Sequence, residues 1–168
     1  MSIQTAQHPH DTDQQNSASA TVAGLTAEQR RHLITDIYNR LDAHSVGCGL
    51  LSELYHKEAV FHDPFHRVEG LDNINNYFTA LYQSVESINF DYGYFWPAEH
   101  SDALRWTMTF SHPAIASGKQ ISVEGCTELK WQDGKVIHHR DLFDGADMLY
   151  NHLPLIGWAL KKVRERMA

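Results

Sequence analysis

At 168 residues, with 42% hydrophobic and 11% aromatic content, the chain is long enough for one domain with a real core and too short for two. A net charge of −7 with histidines neutral excludes a general nucleic-acid binder, which needs a basic face against phosphate. Its two cysteines, Cys48 and Cys126, lie far apart without CxxC spacing, which excludes a disulfide framework and a zinc site and leaves two small core residues in a reduced compartment.

From Met1 to Ala23 the chain is polar, without a sustained apolar period, so it reads as a disordered tail, and its His8 and His10 as solvated residues. The basic start and apolar middle of a signal peptide are lacking, and no apolar run is long enough for a bilayer, so the expected location is cytoplasmic. Order is expected over residues 24–147, with 148–168 as a C-terminal helical extension. Thr26 and Gln29 stand in capping-box positions after Leu25, and Leu33, Ile34, Ile37, Tyr38 and Leu41 then mark the inward stripe of a helix. Leu50, Leu51, Leu54 and Tyr55 predict a second, antiparallel helix ending near Lys57. Ala59–Pro64 reads as a short strand with Asp63 at its mouth, ended by a residue that has no amide hydrogen to give. After Val68-Glu69-Gly70, the spacing of Leu71, Ile74, Tyr77, Phe78, Leu81 and Tyr82 predicts a third helix to about Val85.

From Ile88 the period changes to two. Ile88, Phe90, Tyr92, Tyr94 and Trp96 share one face and Phe95 the other. Leu104, Trp106, Met108 and Phe110 give a second strand its core face, and Ile121–Trp131 a third, with Gly125 as a candidate bulge. Lys135–Asp144 is the last strand, and it puts His139 and Asp141 on the face of Ile137 and Phe143, where an unpaired carboxylate would be costly. That cost marks a site. In the tail, Leu155, Ile156, Ala159, Leu160 and Val163 form an apolar stripe beside Lys161, Lys162, Arg164 and Arg166. The stripe is expected to fold back as a lid near the pocket mouth, in preference to lying on an anionic membrane surface.

Phe61-His62-Asp63-Pro64, Val68-Glu69-Gly70-Leu71-Asp72-Asn73-Ile74, Asp133-Gly134-Lys135-Val136 and Arg140-Asp141-Leu142-Phe143-Asp144, in this order and spacing, resemble the nuclear transport factor 2-like superfamily in its SnoaL-like and ketosteroid-isomerase-like branch. The resemblance covers about residues 25–147. It implies an α+β fold, a cone of curved antiparallel sheet wrapped around three helices from the first half of the chain, with a mostly apolar pocket and commonly a homodimer. Asp63 is similar in position to the isomerases' general base and Tyr38 to their oxyanion-donating tyrosine. Their second acid falls near Thr127. Asp141 is similar in place to the catalytic aspartate of SnoaL-like cyclases and to the acid of limonene epoxide hydrolases, whose Arg-x-Asp pair has no counterpart around Arg105-Trp106-Thr107-Met108.

The expected site is therefore Asp63 or Asp141 for proton transfer, with Tyr38 or His139 supporting an oxyanion, inside a wall of Phe61, Tyr94, Trp106, Thr127 and Trp131. The resulting expectation is a cofactor-independent isomerase, cyclase or dehydratase acting on a small apolar carbonyl compound, without metal. A binding or dimerisation module of the same fold, using the cavity without chemistry, is the alternative. The homodimer is expected through the convex face of the sheet, where alternation puts Phe95.

Overall fold

The structure is a computed structural model that describes residues 23–99 and 101–167. The tail expected over residues 1–22, His8 and His10 included, lies outside the described residues. Helix α1, Ala27–Arg40, starts at the capping box formed by Thr26 and Gln29 and buries Ile34 and Ile37. It also buries Arg30, which Asp102 neutralises. After one helical turn, α2 (Leu51–Leu54), the chain extends at Tyr55. The helix expected to run to Lys57 thus gives way to strand β1, Tyr55–His62, in which alternation carries Tyr55, Ala59 and Phe61 into the core. A short strand, β2 (Arg67–Glu69), leads to Gly70, whose φ of 83° an L side chain rarely adopts. Helix α3, Leu71–Ser84, follows and buries Ile74, Phe78 and Tyr82.

The remaining strands are β3 (Ser87–Trp96), β4 (Asp102–Ser111), β5 (Ile121–Gln132) and β6 (Lys135–Phe143). They form one curved, unclosed sheet in the order β2-β1-β6-β5-β4-β3. All neighbours are antiparallel except β1 and β6, which run parallel. This one parallel pairing sets Phe61 beside His139, and so brings the strand that ends at Asp63 alongside the strand that carries Asp141.

Two irregularities reset which side chains face inward. The β3–β4 register shifts between Tyr92 and Phe95, so Phe95 packs on the core while Tyr94 and Trp96 are 73% and 51% exposed. Phe95 is therefore not the outer-face aromatic that alternation implies. In β6 the register shifts beyond His138, so Val136 is buried on the same side as His139, against simple alternation. Gly125 is not a bulge, because β4–β5 pairing is continuous through it. Its missing side chain makes room instead. A Cβ there would stand 2.2 Å from the Trp106 indole, and the ring lies across the strand in the space that glycine leaves.

The cysteines are not core residues. Cys48 is exposed in the turns after α1, and Cys126 is half-buried because Thr127 takes the inward position beside it. After β6 come a single turn, α4 (Gly145–Met148), the 3-10 turn Tyr150–His152 and helix α5, Pro154–Met167. Phe65 meets Phe143 at 5.8 Å and Tyr150 at 5.9 Å between ring centres, and Gly145 lies under its edge. This aromatic clasp redirects the chain, and α5 packs chiefly on the turn before it. Of the lid expected from Leu155, Ile156 and Leu160, Ile156 is 45% exposed and Leu160 half-buried, and the Leu155 side chain lies outside the described residues. Among the described residues no helix is long and apolar enough to cross a membrane.

Candidate functional site

Between the helices and the concave face of the sheet lies a cavity of about 430 Å³. Ile34 and Tyr38 from α1, Tyr77, Phe78 and Leu81 from α3, and Phe90, Tyr92, Leu104 and Met108 from β3 and β4 make most of its wall apolar or aromatic. Met148 and Leu149, after the last strand, line part of it. A smaller apolar hollow of about 200 Å³ adjoins it and shares Leu81, Ile88, Met108, Ile115 and Met148.

Polar groups enter this cavity from two directions. The inner group is a single hydrogen-bonded chain. Tyr38 Oη and Tyr55 Oη are 2.7 Å apart, Tyr55 Oη lies 2.7 Å from His139 Nδ1, and His139 Nε2 lies 2.9 Å from Asp141 Oδ1. From the other side the Trp106 indole N–H donates to Thr127 Oγ1 at 2.8 Å, and Thr127 in turn donates to the same oxygen of Asp141. His139 is 2% exposed, and its ring is held against Phe61 at 4.9 Å. Asp141 Oδ2 has no partner among the described residues. Burial first, then the neighbouring hydroxyl and the Asp141 charge, push Tyr38 well above the ordinary range. Tyr55 is raised likewise by burial, although its hydrogen bond to Tyr38 acts in the opposite sense. Both therefore remain protonated hydroxyls.

The outer group is built on Asp63. Its Oδ1 accepts the backbone N–H groups of Phe65 and His66 at 2.7 Å each, and its Oδ2 accepts the Tyr77 hydroxyl at 2.6 Å. Pro64 follows it, so this is the side-chain-capped turn that aspartate favours before proline. Burial, with Asp63 itself next, raises Tyr77 well above its ordinary value. With three donors shared between its two oxygens, Asp63 has neither oxygen left unpartnered.

Of the residues singled out from sequence, Tyr38, Phe61, Asp63, Trp106, Thr127, His139 and Asp141 line one cavity. Tyr94 and Trp131 do not. The β3 register shift turns Tyr94 to solvent. Trp131 is buried elsewhere in the core, its indole N–H donating to Asp102 at 2.8 Å. Sequence reasoning missed Tyr55, read as helical, and Tyr77, read only as core. It also missed Tyr92, whose hydroxyl is buried without a partner among the described residues. A polar tip on an apolar helix or strand face was the available signal. No cluster of metal-ligating side chains occurs among the described residues.

The family model for the SnoaL-like domain matches residues 34–139. Among solved structures, a proposed SnoaL-like polyketide cyclase from Shewanella putrefaciens superposes with a TM-score of 0.60 at 21% identity, covering 71% of this chain and 93% of its own. AclR of Streptomyces galilaeus, a proposed hydroxylase, gives 0.59 at 18% identity over 79% and 87%. TerC, crystallised with polyporic acid, gives 0.60 at 13% identity over 71% and 94%. No curated protein sequence matches the chain significantly.

Proposed function

This chain belongs to the SnoaL-like domain family, and we propose that its cavity takes a small apolar, polyketide-like carbonyl compound and that Asp141 removes a proton from the carbon next to the carbonyl. The observation that carries this reading is the asymmetry of one carboxylate: Oδ1 is held by Thr127 and His139, while Oδ2 has no partner within an apolar cavity. The proton passes to Oδ2, the C–H electron pair moves into a new carbon–carbon double bond, and the carbonyl electrons move onto oxygen. A fixed hydroxyl at Tyr38 can stabilise that oxyanion without reorganising solvent. Isomerisation, cyclisation and dehydration all start from such an enolate. Asp63 serves this reading as the brace of the mouth, given its three donors. The names of the Shewanella protein and of TerC's ligand support an oxygenated organic ligand. The same reading takes the protein to be a cytoplasmic homodimer through the outer face of the sheet, with exposed Tyr94 and Trp96 in the contact. Sedimentation of a monomer at micromolar concentration would remove that part.

The test is isotope exchange. Aromatic 1,3-diketones are incubated in heavy water and deuterium uptake at the acidic carbon is followed by mass spectrometry. Asp141→Asn is expected to slow catalysed exchange by about 10²–10⁴, the usual worth of a general base, and Asp63→Asn to slow it far less. Compounds that bind without any catalysed exchange would favour the binding-module alternative.

A further inference from the structure

The chain from Tyr38 to Asp141 has a direction, and the direction is set at its histidine. Trp106 N–H can only donate, so Thr127 Oγ1 accepts from it and points its own proton at Asp141 Oδ1. With Asp141 a carboxylate, the proton between Oδ1 and His139 sits on Nε2. Two arrangements remain for the other three atoms. If Nδ1 is bare, Tyr55 points its proton at Nδ1, Tyr38 points its proton at Tyr55, and Tyr38 shows the cavity a lone pair. If Nδ1 carries a proton, it donates to Tyr55, Tyr55 donates to Tyr38, and the Tyr38 proton is free for the cavity. Any mixed arrangement sets two protons or two lone pairs face to face across a contact of 2.7 Å, or leaves the buried Tyr55 proton without an acceptor.

We propose that Tyr55 and His139 are positioning residues that set the direction of the Tyr38 hydroxyl, so that an oxyanionic ligand enters the cavity together with one proton, taken up at His139 Nδ1. This deepens the reading given above and rests on it: the oxygen held by Tyr38 is the one on which negative charge develops. It also divides ligands by chemistry. With His139 neutral, Tyr38 accepts and the cavity suits a hydroxyl donor; with His139 doubly protonated, Tyr38 donates and the cavity suits a carbonyl, enolate or phenolate.

The groups packed around His139 leave few competitors for control. Tyr38 of α1 and Tyr55 of β1 lie against its ring, are raised by burial and stay neutral, and Thr127 of β5 does not titrate. His138, next to His139 on β6, is lowered first by burial and then by Lys130, with His139 acting in the same sense. Asp141, in direct contact, and Asp63, at the end of the neighbouring parallel strand, are the nearby carboxylates that line the same cavity.

Two measurements on the intact protein test this without requiring turnover. Nitrogen-15 NMR of the wild type reads the ring tautomer: neutral His139 is expected to carry its proton on Nε2, and the Nδ1–H tautomer would overturn the proposal. The second probe is 4-nitrophenol, whose colour reports its ionisation. Phenolate affinity is expected to fall about tenfold per pH unit above the His139 titration, the slope of one linked proton, and bound phenolate is expected to raise that titration. Tyr55→Phe breaks the relay while leaving the His139–Asp141 contact, so it should flatten the pH dependence of whatever phenolate binding it keeps. A variant merely loosened in structure would bind more weakly with the slope intact. Wild-type protein that binds phenolate equally on both sides of the His139 titration, or not at all below it, would overturn the proposal whether or not the Tyr55 variant folds. Absence of isotope exchange alongside a linked phenolate would instead remove the catalytic reading and leave the relay standing.

Discussion

Asp102 and Asp141 are inward carboxylates on strands of the same sheet, and they are finished in opposite ways. Asp102 is 1% exposed and accepts Arg30 Nε at 2.6 Å, Arg30 Nη2 at 2.8 Å, the Trp131 indole at 2.8 Å and the Ala98 amide at 3.3 Å. Both of its oxygens are saturated, and its charge is cancelled by a buried guanidinium that also ties down Leu25 through its carbonyl. Asp141 lines the cavity with donors on one oxygen and, among the described residues, none on the other. A saturated pair holds helix to sheet and has nothing left to offer a ligand, whereas a half-satisfied carboxylate can accept something that arrives.

The contrast can be broken most forcefully at Arg30. Arg30→Met leaves Asp102 buried without its cation and is expected to cost about 3–5 kcal/mol, lowering the thermal midpoint by about 10 °C for a chain of this size. Pairing it with Asp102→Leu should recover most of that loss, since an apolar pair of similar volume needs no desolvation; no recovery would mean that the ion pair is not what holds this end together. Next in size is Gly125→Ala at the open end, where the new methyl collides with Trp106. About 1–3 kcal/mol of destabilisation in a urea titration is expected, relieved in the double variant with Trp106→Leu. The smallest effect sharpens the comparison most: Asp141→Asn should change stability by no more than about 1 kcal/mol, because the amide oxygen still accepts from Thr127 and His139 and the amide nitrogen faces the cavity. A loss as large as that at Arg30 would make Asp141 a structural residue.

Periodicity revealed the fold to the extent that elements were regular. The capping box at Thr26, the stripe of α3 and the strand at Leu104–Phe110 emerge as their patterns require. Where a strand carries an extra residue the pattern fails, and it failed twice. The shift after Tyr92 exchanged the roles of Tyr94 and Phe95, and the shift in β6 put Val136 inside with His139. Neither leaves a mark in the alternation of apolar residues, because a bulge preserves composition and changes only parity. Tyr55 was hidden for a different reason: it ends an apolar run at helical spacing, and its extended conformation is imposed by pairing with Val136, eighty-one residues on. His139 and Asp141 were legible because ionisable side chains on the inward face of a strand are costly enough to need a reason. Their partners were not legible, since hydrogen bonds between residues distant in sequence follow from the register of the sheet.

The placement of Trp106 also has an optical consequence. The chain has four tryptophans: Trp96 and Trp158 are exposed, Trp131 is sealed beside Asp102, and Trp106 alone of the four lines the cavity. A compound that enters the cone meets one indole, whose N–H reaches Asp141 through a single threonine hydroxyl. Emission from that indole should change when the cavity fills, which gives the protein an internal fluorophore placed two hydrogen bonds from Asp141.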